Sequence, residues 1–193
     1  MNNSRRKFLR QSALAGAAFS LPFGKELMAM AGKSNAIGIQ LWTVKQALYK
    51  DTLGVLQHLS KCGYKQIEGF EGDLGIFWGM KNTELKKVLD DLGMKMVSSH
   101  CNNTQDFERK AAQAAEIGMK YLICPHKGAQ KSIDNFKRFS DEFNACGEIT
   151  KKNGLRFAYH NHDYSFVPMN GIVPQDLMIQ STNPDTVDFE MDM

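Results

Sequence analysis

The sequence has no C-x-x-C pair: its four cysteines, Cys62, Cys101, Cys124 and Cys146, stand singly. That removes thiolate-rich metal sites and dithiol redox motifs, and reads the cysteines as small buried hydrophobes. Cys101 and Cys124 fall in strand regions expected to be neighbours, so a disulfide in an oxidising compartment stays open, although spacing alone pairs nothing. A basic surplus is missing too. The formal charge is only +3, and Arg5, Arg6, Lys7 and Arg10 supply part of it within the first ten residues. No surplus remains for a phosphate backbone, so nucleic acid is not an expected partner. Long apolar runs are missing as well; none reaches the roughly 20 residues that a membrane-spanning helix needs. Finally, no G-x-G-x-x-G follows any apolar run, which removes the phosphate loop of an open dinucleotide-binding sheet.

What the N-terminus does have is an address. Residues 4–10 read Ser-Arg-Arg-Lys-Phe-Leu-Arg, which resembles the twin-arginine export signal at every defining position. The apolar stretch from Ser12 to Phe23 suits a signal-peptide core. Ala29-Met30-Ala31 then offers a small-x-small cleavage site, so the mature chain is expected to begin at Gly32. No cysteine follows that site, so no lipid anchor and no stable membrane attachment are expected. Residues 1–31 are thus read as a signal peptide and 32–193 as the domain, exported to the periplasm. That route carries folded cargo, which suits a protein loaded with its metal before crossing.

From Ala36 onward, short apolar runs alternate with longer amphipathic stretches. Strands are expected over 37–42, 64–70, 95–100, 120–124, 155–161 and 187–191. Helices are expected over 50–62, 82–92, 104–117, 132–152 and 174–180, several ending at a glycine suited to closing a helix. Six βα repeats of 25–35 residues leave an open doubly wound sheet or a (β/α)8 TIM-type barrel. Polar residues gather where strands end: Gln40, Glu68, His100, His126, His160, His162 and Asp192. Several strands feeding one site from their C-terminal ends is how a barrel builds its active site. The expectation is therefore an α/β barrel of the (β/α)8 type with about six βα units present.

Tyr159-His160-Asn161-His162-Asp163 is the most informative stretch. Side chains alternate along a strand, so His160 and His162 share one side, which suits a divalent metal or proton transfer. Glu190 and Asp192 share a face in the same way, and an inward carboxylate is costly without a cation or donors. Histidine with carboxylate suits Mn²⁺, Zn²⁺, Co²⁺ or Fe²⁺. Glu68 is placed to act as base on a carbon-bound proton or to bond a sugar hydroxyl. Trp42 and Phe70 offer flat apolar faces for a sugar ring.

Ile37-Gly38-Ile39-Gln40-Leu41-Trp42-Thr43-Val44, Ile67-Glu68, Ser98-Ser99-His100 and Tyr159-His160-Asn161-His162-Asp163-Tyr164 together resemble the xylose-isomerase-like barrel superfamily. Within it the resemblance is to the sugar phosphate isomerase/epimerase group. It implies a divalent metal, whether Mn, Zn, Co, Fe or Mg, and a small carbohydrate substrate, with a homo-oligomer left open. The metal polarises a carbonyl while a neighbouring group moves a proton on the adjacent carbon. Carried onto this sequence, the resemblance puts His160 or His162 on the metal with Asp192. Glu190, on the same face as Asp192, completes the expected set His160, Glu190 and Asp192, while Glu68, His100 and His162 do the proton chemistry. Gln40, Trp42 and His126 contact the sugar. The fifth-strand glutamate usual in the superfamily is missing, since Ala158 stands near its place. A lyase or hydrolase acting on oxidised glycosides, or a carbohydrate-binding remnant, is the alternative. The resemblance also implies seventh and eighth strands, so the barrel is expected to be truncated after Asp192.

Overall fold

The computed structural model describes residues 36–193; the expected signal peptide lies outside the described residues. Six parallel strands form one sheet in the order β1-β2-β3-β4-β5-β6. They are β1 (Gly38–Gln40), β2 (Gln66–Phe70), β3 (Lys95–His100), β4 (Tyr121–Cys124), β5 (Arg156–His160) and β6 (Val187–Glu190). Each strand pairs with its successor. A doubly wound sheet reverses order at a switch point, whereas a barrel winds one way, so this order is a barrel's.

Between the strands run α1 (Lys45–Lys50), α2 (Thr52–Lys61), α3 (Asn82–Asp91), α4 (Phe107–Glu116), α5 (Ile133–Lys152) and α6 (Pro174–Ser181). Their ends follow local chemistry. Asp51 accepts from the Gly54 N–H at 2.8 Å, and Ser132 Oγ accepts from the Asp134 N–H at 3.2 Å, each meeting a donor that the helix leaves unpaired. Gly93 (φ +64) and Gly118 (φ +80) follow α3 and α4 in the left-handed conformation that lets the chain turn into β3 and β4. Among the described residues no helix is long and apolar enough to cross a membrane, and all four cysteines are free thiols.

One expectation needs correction. The first strand does not run to Trp42: it ends at Gln40, and Leu41–Val44 form a 3-10 helix leading into α1. Apolar Leu41, Val44 and Leu48 recur at helical spacing, and Leu41 and Leu48 are buried. Burying that stripe outweighs the strand propensity of the preceding residues. Trp42 is consequently left 52% exposed at the rim.

The sheet's two faces differ. Phe157 and Tyr159 on β5 point to the helices, where Phe143 of α5 lies 5.4 and 5.0 Å from their ring centres. Alternation then turns Ala158 and His160 to the opposite, lumenal face. This packing of large aromatics on one side is what delivers the polar residues to the other.

Candidate active site

Strand register assembles the site. Gln40 pairs with Glu68 across β1 and β2, and His160 with Glu190 across β5 and β6. Between β2 and β3 the register shifts by one residue after Ile67, so that Glu68 meets Ser98 rather than Val97. Such irregularities re-aim side chains. Here the shift brings Ser98, and two residues on His100, to the lumenal side beside Glu68. Ser98 was missed by the sequence reading, although its i, i+2 spacing from His100 was the available signal.

Glu68 is held by Ser98 Oγ at 2.6 Å and Gln40 Nε2 at 3.1 Å, with His100 Nε2 3.4 Å away. Burial pushes its carboxyl above the ordinary 4.5, and the nearby Glu190 charge adds to the rise; the bonds from Ser98 and Gln40 and the charge of His100 oppose it. A carboxyl poised this way suits proton transfer.

Beside it, His100 Nε2 lies 3.0 Å from Glu190 Oε2, and His160 Nδ1 lies 3.1 Å from the same oxygen. The three atoms form a group able to hold a metal ion. His100 and His160 are 7% and 8% exposed, with ring centres 4.8 Å apart. His160 Nδ1 is buried yet has no partner in hydrogen-bond geometry, so its contact with Glu190 is one of proximity. Two ligand atoms each about 2.1 Å from one ion sit roughly 3.0–3.4 Å apart at octahedral or tetrahedral angles. The observed 3.0 and 3.1 Å fit that spacing, and the donor set suits a borderline divalent ion. Asp192 Oδ2 stands 3.6 Å from His160 Nε2, whereas Glu190 lies nearer Nδ1 of the same ring.

The structure thus groups His160 with Glu190, both read as ligands, but adds His100, which the sequence reading gave a proton-transfer role. His162 and His126 line the same cavity of about 950 Å³. His162 is not one of these three, but its ring meets that of His160 edge-on at 5.1 Å between centres. Its Nε2 donates to the Pro125 carbonyl at 3.1 Å, its ring stacks on Tyr164, and His126 stands edge-on at 6.0 Å. Trp42 meets Phe70 edge-on at 5.2 Å, and Lys45 Nζ stands 3.5 Å from the Trp42 ring centre. Lys127 lines the wall but is paired with Glu142. The sequence reading also missed Asn161, which is bonded to the main chain of Asp192.

Parallel strands wound one way, with ionisable residues at their C-terminal ends, define the class as an α/β barrel with a strand-end site. No protein-family model and no curated protein matches the chain. Among solved structures, two sugar phosphate isomerases/epimerases from Parabacteroides distasonis ATCC 8503 are 30% and 29% identical, with TM-scores of 0.66 and 0.70. Each alignment covers 80% of this chain, and 64% and 68% of theirs. A D-psicose 3-epimerase from Clostridium cellulolyticum H10, 10% identical with a TM-score of 0.56, shares the fold over 79% of this chain and 61% of its own. The chain resembles these sugar phosphate isomerases/epimerases, and spans about two thirds of their length.

Proposed function

We propose that this chain carries the metal-and-base half of a divalent-metal-dependent sugar or keto-sugar isomerase/epimerase. The observation that supports it most is the convergence of His100, His160 and Glu190 on one point, with an unpartnered buried nitrogen, directly beside a base candidate of raised pKa. When bound, the ion supplies Lewis-acid polarisation of a sugar carbonyl or hydroxyl. His100, His160 and Glu190 hold it, with Asp192 at the edge. Glu68 takes the proton from the carbon next to the carbonyl. Ser98 and Gln40 fix the orientation of its carboxylate, and burial keeps its basicity above that of a free glutamate. Trp42 and Phe70 give the sugar an apolar face at the rim, and His126 and His162 supply polar contacts on the opposite wall.

The test is proton exchange in D₂O, followed by NMR over a panel of ketoses and keto-glycosides with Mn²⁺ present. The expected result is deuterium at the carbon next to the carbonyl. Glu68→Gln should lower that rate roughly 10²–10⁴-fold, the usual range for a lost general base, while Mn²⁺ binding persists. No exchange on any substrate would sink the reading. Release of a free sugar from a keto-glycoside would indicate elimination instead.

A further inference from the structure

Backbone pairing between β5 and β6 ends at His160 and Glu190, where the Asn161 N–H reaches the Glu190 carbonyl at a long 3.4 Å. Beyond that point the ladder continues through a side chain. Asn161 Nδ2 donates to the Asp192 carbonyl at 3.0 Å, and the Asp192 N–H donates to Asn161 Oδ1 at 2.8 Å. A carboxamide carries the same donor and acceptor as a peptide group, so Asn161 pairs with Asp192 as the next strand residue would. Asn161 is 4% exposed and sheltered, whereas the Asp192 side chain is 68% exposed. Both main-chain polar groups of Asp192 are therefore held by one buried residue, and its carboxylate keeps only its own side-chain torsions.

We propose that Asn161 is a positioning residue: it pins the main chain of Asp192, holds the Asp192 carboxylate within 3.6 Å of His160 Nε2, and thereby sets the site's affinity for a divalent cation. The inference rests on the cation reading given above. It differs from a general packing role because it works through one residue. Asn161→Ala removes both bonds, whereas Asn161→Asp keeps the acceptor but turns the donor into a second acceptor facing a carbonyl.

The test is Mn²⁺ binding by titration calorimetry on the full chain for Asn161→Ala, Asn161→Asp, Asp192→Ala and the Asn161→Ala/Asp192→Ala double variant, with folding checked by circular dichroism. Partners outside the ligand set typically cost roughly 10–100-fold in affinity when removed. Asn161→Ala and Asn161→Asp should fall in that range, and the double variant should bind as Asp192→Ala does, within about twofold. Wild-type affinity in Asn161→Ala, or losses that multiply in the double variant, would overturn the proposal. Should the variants fail to fold, hydrogen exchange at the wild-type Asp192 amide decides the pin: slowing of tenfold or more over a free amide supports it, and unprotected exchange overturns it. A wild-type chain that binds no Mn²⁺ overturns the affinity role together with the cation reading, and amide exchange still reads the pin separately.

Discussion

Glu190 Oε2 touches two imidazoles at once, and this single atom carries much of the site's electrostatics. Burial pushes the Glu190 carboxyl up, but the hydrogen bond from His100 and the charges of His100 and His160 outweigh it and hold the group at about 2. His160 is raised above its ordinary 6.5, chiefly by Glu190 and against burial. The signs of these shifts fix the pH window in the metal-free protein. A depressed carboxyl stabilises the fold above its ordinary 4.5 and loses that contribution as pH falls toward 2; a raised imidazole stabilises below 6.5 and loses it as pH rises through the raised value. Thermal melts of metal-free wild type and Glu190→Gln should therefore differ most between pH 4.5 and 6.5 and converge as pH falls toward 2. They should narrow, without closing, as pH rises through the raised His160 value, because a neutral imidazole still donates to the carboxylate. A difference independent of pH would show that the cluster does not titrate as a unit. In the same variant Mn²⁺ affinity should fall by more than the roughly 10–100-fold that outer partners cost. Much of this was legible in sequence, because strand alternation places His160, Glu190 and Asp192 on the lumenal side. The inclusion of His100 was not, since it depends on the register of β3 against β2.

At the scale of elements, strand and helix periodicity located nearly every unit, and β3 came out at its expected ends, 95–100. Two features escaped it. The register shift after Ile67 leaves no trace in a pattern of period two, since only pairing across strands creates it. The short α1 was hidden because its apolar stripe begins inside residues that also read as strand. A close approach between α5 and β6 was equally invisible. A Cβ on Gly147 would stand 2.7 Å from Thr186 Oγ1, 2.9 Å from Thr186 Cβ and 3.1 Å from Val187 Cγ2. Alanine in a helix gains up to about 1 kcal/mol over glycine in propensity. Overpacking against a fixed neighbour costs about 1–3 kcal/mol, and Thr186 is buried with little room to shift. The clash should win. Gly147→Ala is expected to lower the thermal midpoint and to loosen the start of the strand that carries Glu190, as read by calorimetry and by weaker Mn²⁺ binding. A rise in midpoint would show that Thr186 yields freely.

At the scale of the whole molecule, the one-way winding of six βα units was legible because each unit repeats the same period and lacks a phosphate loop. How tightly that wall seals was not, because sealing depends on where helices dock. The cysteines report it. Cys101 follows β3, Cys124 ends β4 and Cys146 lies on α5, so all three stay covered only while the sheet and α5 remain docked together. Burial pushes the Cys124 thiol up to about 12 and raises Cys101 and Cys146 as well. A thiol with so little thiolate at neutral pH reacts slowly even when reached. Cys62, by contrast, is exposed at the end of α2. Ellman titration of the native protein should therefore count one fast thiol, and the other three should appear only on unfolding in guanidinium. Their rate in weak denaturant should follow global opening rather than local fraying, because no single loop covers all three. Fast reaction of two or more thiols in the native state would mean that α5 lifts from the sheet without unfolding, and β5 with His160 would then lose the aromatic backing that turns the imidazole inward.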